Sequence, residues 1–101
     1  MLAAGGEVFS GANVENASYT MTICAERAAV AAAVAAGVRE IRTVAVVGSA
    51  ADPTPPCGGC RQVLAEFGSD VTVISESDDG ARREWSLAEL LPDAFGPGQL
   101  S

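Results

Sequence analysis

The feature that most constrains this chain is its set of three cysteines, Cys24, Cys57 and Cys60, in a sequence that contains no histidine. An odd number of cysteines cannot form a closed set of intramolecular disulfides. Cys57 and Cys60 have the Cys-x-x-Cys spacing of a metal-binding knuckle, although that spacing alone is also typical of a structural zinc site or a redox pair. The 101 residues suffice for a single domain, residues 1–101, and so small a domain gains stability from a metal or from oligomerisation.

The charge balance restricts the class of partner. The formal net charge is −7, and the one adjacent basic pair, Arg82 and Arg83, has acidic neighbours. Because polynucleotide binding depends largely on neutralising phosphates, we expect no nucleic-acid partner and favour a small neutral substrate. The Ala-rich residues 28–36 are about half of the ~20 that cross a membrane, so we expect neither a membrane span nor a signal peptide. Thiol ligands fit a reducing compartment, which predicts a cytoplasmic protein.

Alternating strand-like and helix-like segments predict an α/β domain with a mixed sheet. Alanine-rich residues from 22 or 23 to 36 predict a helix, with Thr22 as its N-cap and Gly37 just past its end. The connections are long enough for parallel crossovers. The other predicted helices are residues 57–67 and 86–91, and the predicted strands are residues 7–11, 41–48, 71–75 and 83–85, with residues 2–4 as the end of a partner strand.

The cysteine positions favour a catalytic metal site over a closed structural one. All three lie at predicted helix starts, where the helix dipole favours the zinc-binding thiolate, and three protein ligands leave a coordination position for water. Glu26, two residues after Cys24, lies nearly opposite it on a helix, so we interpret Glu26 as a general acid/base rather than a ligand. Arg27 shares the face of Cys24 and is predicted to donate hydrogen bonds to the thiolates and offset their charge. Taken singly, Glu26 and Arg27 could each be solvated helix residues.

Two motifs together resemble the cytidine deaminase family. They are Cys24-Ala25-Glu26-Arg27 and Pro56-Cys57-Gly58-Gly59-Cys60-Arg61-Gln62, a pairing already recognised as a signature of zinc deaminases. A cysteine as the first ligand is similar to the small, all-cysteine, homotetrameric branch of that family. The resemblance extends over residues 9–95 and includes Gly11-Ala12-Asn13-Val14-Glu15-Asn16-Ala17-Ser18-Tyr19 and Leu90-Leu91-Pro92-Asp93-Ala94-Phe95.

The resemblance implies a fold and a reaction. The fold is a three-layer α/β/α sandwich with helices on both faces of the sheet. The reaction is hydrolysis of cytidine and deoxycytidine to uridine and deoxyuridine with release of ammonia, as in pyrimidine salvage. One Zn²⁺ per subunit would be held by Cys24, Cys57 and Cys60, and Glu26 would carry protons from the water to the ring nitrogen and then to the leaving amine.

The resemblance also implies substrate contacts and a homotetramer with shared active sites. Each contact residue has a plainer alternative, as a turn residue, an exposed charge, or core or interface packing. The implied contacts are Asn13 and Glu15 to the ribose hydroxyls, the backbone of Ala25 and Cys57 to the base, Tyr19 at the subunit boundary, and Phe95 over the base of a neighbouring subunit.

The resemblance further suggests that an N-terminal helix and most of a first strand are lacking here, together with a substrate-packing Phe. Two rival functions therefore stay open at this point: deamination of a related aminopyrimidine nucleoside, and a non-catalytic zinc-stabilised subunit. Deamination of a polynucleotide is a weaker rival, because the net negative charge of the chain disfavours binding to phosphates.

Overall fold

The computed structural model describes residues 1–49, 52–68 and 70–96. Four strands, three α-helices and one 3₁₀ helix are formed by these residues. In chain order they are β1 (Leu2–Ala3), the 3₁₀ helix (Tyr19–Met21), α1 (Ala25–Ala35), β2 (Ile41–Val47), α2 (Gly58–Ala65), β3 (Thr72–Glu76), β4 (Arg82–Ser86) and α3 (Leu87–Leu90).

The strands form one mixed sheet in the order β1-β2-β3-β4. The central pair, β2 and β3, is parallel, while β1 and β4 are antiparallel to their neighbours. Because α2 connects the two parallel strands, it supplies the crossover that parallel pairing needs. The predicted α/β class with a mixed sheet is confirmed.

The predicted strand at residues 7–11 is wrong. Residues 7–9 make only a short backbone pairing with residues 1–3, seen in the bridge between Val8 and Leu2 and the hydrogen bond from Phe9 N–H to Met1 O. Beyond it the chain leaves the sheet, because Gly11 lies against the backbone of the first turn of α1. The segment therefore serves α1 rather than the sheet.

Both helices that carry cysteines begin at a cysteine. Cys24 is the N-cap of α1 and Cys57 is the N-cap of α2, so the prediction of Thr22 as the α1 cap is wrong. The Thr22 hydroxyl instead accepts a hydrogen bond from the Asn16 N–H, which keeps it outside the helix. The predicted end of α1 is confirmed, since Gly37 follows with a φ of 89°, a conformation that suits glycine.

The hydrophobic core lies between the sheet and the helices. Val44 and Val73 are paired in register and so project from the same face of the sheet, while Ala45 alternates to the opposite face and is exposed. The first two helices lie side by side, as predicted. Among the described residues, no helix is long and apolar enough to span a membrane. The helix residues that pack with the two valines are Val30, Leu64 and Leu87.

Candidate metal centre and active site

The three cysteine sulfurs converge where α1 and α2 begin. All three Sγ atoms lie within 4.8 Å of one another, although Cys24 is more than 30 residues from the other two in sequence. Four ligands placed tetrahedrally at zinc–sulfur distances of ~2.3 Å hold their sulfurs about 3.8 Å apart, so this spacing fits a zinc ion. Cys60 is buried, Cys24 is half-buried and Cys57 is exposed.

The thiols are free and electrostatically unequal. The Sγ atoms of Cys57 and Cys60 are 3.3 Å apart, which is a hydrogen bond and far too long for a disulfide. The backbone N–H of Cys60, followed by its side chain, holds the pKa of the Cys57 thiol below its usual range. Burial raises the pKa of the Cys60 thiol, with added contributions from hydrogen bonds to Cys57 and Cys24 and from the negative charge of Glu26. A divalent cation would offset the negative charge of neighbouring thiolates. Zinc prefers thiolate ligands, which matches the three sulfur donors.

Glu26 links the sulfurs to an open cleft. It lies in the first turn of α1, where the N-terminal dipole favours its negative charge. Its side chain is half-buried and lines a cleft of about 490 Å³, a size typical of small-molecule sites. The cleft opens at the carboxyl end of β2, which is where ligands bind in open α/β sheets. The other lining residues include Ser10, Asn13, Ala25, Val46, Ser49 and Thr54.

Asn13 supplies α1 with a cap that Cys24 does not provide. The Cys24 side chain makes no capping hydrogen bond, and the Ala25 N–H at the helix start donates instead to Asn13 Oδ1 at 2.7 Å. An asparagine carries two donor hydrogens on Nδ2 besides this acceptor, so it can cap the helix and still donate into the cleft. The predicted backbone contact of Ala25 to a base stays a prediction, and its N–H already has a protein partner.

Arg27 is placed beside the loop before α1. Its Nη2 donates to the carbonyl of Thr22 at 2.7 Å. This bond fixes the residues that lead into Cys24, and the guanidinium has further donors to offer. The predicted hydrogen bonds from Arg27 to the thiolates stay a prediction.

The remaining predicted contacts lie away from this cleft. Glu15 and Tyr19 are exposed and are not among the described residues that line it, and Tyr19 is 89% exposed. Phe95 is 57% exposed and lines a second cavity of about 230 Å³ beside α2 and α3. Within one chain the structure gathers Cys24, Cys57 and Cys60 into one cluster and Asn13, Ala25 and Glu26 into one cleft. Glu15, Tyr19 and Phe95 are not among the described residues of either group.

Three supporting residues escaped the sequence analysis. Gly11 allows the loop to touch α1, the buried Ser75 hydroxyl donates to the Thr54 carbonyl at 2.7 Å, and Arg61 holds the Pro56 carbonyl at 2.7 Å. A glycine in a loop, a serine in an apolar strand and an arginine in a metal-binding motif are the only local signals for them. The partners of Gly11 and Ser75 are too distant in sequence for such signals to identify.

Fold and site together define a zinc-binding α/β protein. Residues 1–76 match the family described as "Cytidine and deoxycytidylate deaminase zinc-binding region". The chain is 44% identical to cytidine deaminase of Sporosarcina psychrophila over 100% of this chain and 75% of the relative. It is also 46% identical to cytidine deaminase of Halalkalibacterium halodurans, over 94% of this chain and 73% of that relative. The chain thus belongs to the cytidine and deoxycytidylate deaminase family.

Solved structures agree with this assignment. The crystal structure of cytidine deaminase from Burkholderia pseudomallei matches with a TM-score of 0.88 and 46% identity, covering 93% of this chain and 76% of that one. The crystal structure of cytidine deaminase from Mycobacterium tuberculosis matches with a TM-score of 0.72 and 36% identity, covering 94% of this chain and 74% of that one. The predicted cytidine deaminase-like fold is confirmed, and so is zinc as the cofactor, since the family is a zinc-binding one and the three sulfurs can hold the ion.

Proposed function

We propose that this chain catalyses the zinc-dependent hydrolytic deamination of cytidine and deoxycytidine to uridine and deoxyuridine. The observation that carries the proposal is the position of Glu26. This residue lines the cleft, and its charge acts on the buried thiol of Cys60. These two observations support the proposal that Glu26 moves protons between water at the metal site and a substrate in the cleft.

The reaction replaces the C4 amine of the base with oxygen from water. Cys24, Cys57 and Cys60 would hold the zinc ion, which would supply the Lewis acidity that makes water nucleophilic at neutral pH. The Glu26 carboxylate takes a proton from that water as the new C4–O bond forms, and delivers it to the ring nitrogen. Glu26 then takes the proton of the new C4 hydroxyl and passes it to the amine. As the C4=O double bond of the product forms, the C4–N bond breaks and ammonia leaves.

The substrate is held, in this proposal, by groups at the cleft and by a neighbouring subunit. Asn13 and Glu15 bind the ribose hydroxyls, and the backbone of Ala25 and Cys57 contacts the base. The Asn13 Nδ2 donors, which make no hydrogen bond to the described part of the chain, support this role, because ribose oxygens accept hydrogen bonds. The net charge of −7 supports a free nucleoside over a nucleic-acid strand.

Turnover by the zinc-loaded protein tests the reaction. Conversion of cytidine to uridine is followed by the loss of cytidine absorbance. Glu26→Gln keeps the shape of the side chain but cannot carry a proton, so we expect kcat to fall by about 10²- to 10⁴-fold with zinc content unchanged. Glu40→Gln, at an exposed position, is the matched control and should retain activity.

The outcomes separate the rival functions. Lack of turnover on cytidine by fully zinc-loaded protein contradicts the proposal. If such protein deaminates another aminopyrimidine nucleoside, the substrate assignment alone is wrong. If it deaminates none, a zinc-stabilised subunit without activity is the better description. Near-normal kcat in Glu26→Gln would contradict the role of Glu26.

We further propose a homotetramer in which Phe95 completes the site of a neighbour and Tyr19 lies at the subunit boundary. The large exposed fractions of both rings and the separation of Phe95 from its own cleft support this arrangement. Mass in solution tests the oligomer. Mixing Glu26→Gln with Phe95→Ala tests sharing, because a hybrid can contain one site with both residues intact. Activity of the mixture that never exceeds the sum of its parts contradicts a shared site.

The location proposed for the protein is the cytoplasm. Three free thiols in one site support it, because a reducing compartment keeps such a ligand set available for metal. Fractionation of cells that express the chain with its natural ends checks this, and recovery in a secreted fraction contradicts it.

A further inference from the structure

Arg61 bridges two backbone carbonyls that belong to different parts of the fold. It lies on α2, one turn after Cys57, and is half-buried. Its Nε donates to Pro56 O at 2.7 Å and its Nη1 donates to Leu90 O at 2.9 Å. Pro56 is buried and directly precedes Cys57, so one end of the guanidinium grips the peptide that leads into a cysteine of the metal centre.

The other hydrogen bond of Arg61 connects it to α3. Leu90 is the last residue of this helix, and the last carbonyls of any helix lack an intrahelical partner. A guanidinium is a rigid planar fork, so it fixes the separation of the two carbonyls it joins. Among residues 1–49, 52–68 and 70–96, no carboxylate pairs with Arg61, and its charged group hydrogen-bonds to these two backbone oxygens.

Neighbouring contacts make the bridge part of a larger restraint. Next to Arg61, Gln62 Nε2 donates to Phe95 O at 2.6 Å, which ties α2 to the chain beyond α3. On the far side of the metal-binding turn, buried Ser75 holds the carbonyl of Thr54. The turn into Cys57 is thus fixed both from β3 and from α3.

We propose that Arg61 is a positioning residue that couples the metal-binding turn at Cys57 to α3 and the chain that follows it. The inference rests on the proposed zinc site. Because the coupling is a free energy shared between two places, it acts in both directions. A well-formed α3 holds Cys57 in its ligating position, and bound zinc holds α3 and residues 91–96 in place.

The first test compares the rate of zinc release. Zinc-loaded protein is mixed with an excess of a chelating dye, and release is followed by colour. Arg61→Lys keeps the positive charge, but a single ammonium cannot reproduce the two-carbonyl fork. We expect release to be about 10- to 100-fold faster, the range seen when a group supporting a metal ligand is lost. Arg39→Lys is the matched control, since Arg39 is exposed and, within the described ranges, its side chain hydrogen-bonds only to the adjacent Val38 carbonyl.

The second test asks whether the effect of α3 on zinc release depends on Arg61. Ser86 caps α3 in a reciprocal capping box with Glu89, and neither residue belongs to the metal-binding group. Ser86→Ala loosens α3, and with Arg61 in place we expect zinc release to speed up by about twofold or more. In the Arg61→Lys background, Ser86→Ala should have no further effect, because the connection is already broken.

Two results would overturn the coupling. One is release from Arg61→Lys within twofold of the Arg39→Lys control. The other is a pair of additive effects in the double variant, which would mean that Ser86 acts through general stability. Failure of the proposed function is a separate outcome, because it is seen when the wild-type chain binds no zinc or turns over no nucleoside.

Discussion

Gly11 lies so close to α1 that a single methyl group there would displace the loop before the metal site. A Cβ at this position would lie 2.6 Å from the backbone nitrogen of Ala29 and closer still to the carbonyl oxygen of Ala25. Ordinary contact begins at 3.4 Å, so Gly11→Ala requires a shift of at least about 0.8 Å from the Ala29 nitrogen and a larger one from the Ala25 oxygen. Both clashing atoms belong to helix backbone, which cannot rotate away as a side chain can. The loop must therefore move, and it carries Asn13, which caps α1 and lines the cleft.

The size of the effect follows from that displacement. Overpacking of this kind costs about 1–3 kcal/mol of stability. A misplacement of ~1 Å at an active site can cost about 10²-fold in rate, so we expect kcat/KM on cytidine to fall by about 10- to 100-fold. Zinc content should stay that of the wild-type chain, because none of the three cysteines lies on the displaced loop. Steady-state kinetics, urea denaturation and metal analysis measure the three quantities.

The control is Gly5→Ala. A Cβ on Gly5 would meet only the side chain of Glu7, which is exposed and can turn aside. We expect its kinetics and stability to match those of the wild-type chain. Wild-type kcat/KM in Gly11→Ala would refute the reasoning, because it would mean that the loop does not position the cleft.

Two further predictions concern metal removal and pH. Chelation of zinc should lower Tm by about 10 °C or more when the ion had been present at ~100 times its Kd, as followed by thermal denaturation, and an unchanged Tm would contradict a structural contribution from the metal. The backbone N–H of Ser86, followed by its hydroxyl, lowers the pKa of Glu89 below its usual 4.5. Its carboxylate thus stabilises the fold above pH 4.5, and that contribution disappears as pH falls through the lowered pKa. Glu89→Gln should have a lower urea midpoint than the wild-type chain at pH 7 and the same midpoint at pH 2, and a gap that persists in acid would contradict this linkage.

Local sequence patterns predicted the features that depend on neighbouring residues, such as where a helix starts and ends. The end of α1 follows from its alanine content and from Gly37, and the cysteines were expected at helix starts. The convergence of Cys24 on Cys57 and Cys60 depended on matching two motifs, since no periodicity states which helices become neighbours. The family assignment and zinc were predicted from those same motifs and are confirmed.

Sequence reasoning failed where distant contacts override local preference. Thr22 is a good N-cap residue, yet α1 begins at Cys24 and takes its cap from Asn13. Residues 7–11 were predicted as a strand, but contact between Gly11 and α1 draws the chain away from the sheet. The roles of Arg61 and Ser75 depend on carbonyls of Leu90 and Thr54, 29 and 21 residues away, and no local pattern encodes such partners.

The cysteine N-caps limit how this protein can be made more stable. Replacing a poor cap with Ser, Asp or Asn is among the usual ways to gain about 1 kcal/mol per helix. At positions 24 and 57 that substitution would remove a metal ligand, so both helix starts are closed to it. Asn13, which caps α1 from a distance, also faces the cleft, so changes there would alter substrate binding. Variants with higher Tm that keep activity should therefore carry their substitutions at the far ends of α1 and α2, on β4 and on the exposed face of the sheet.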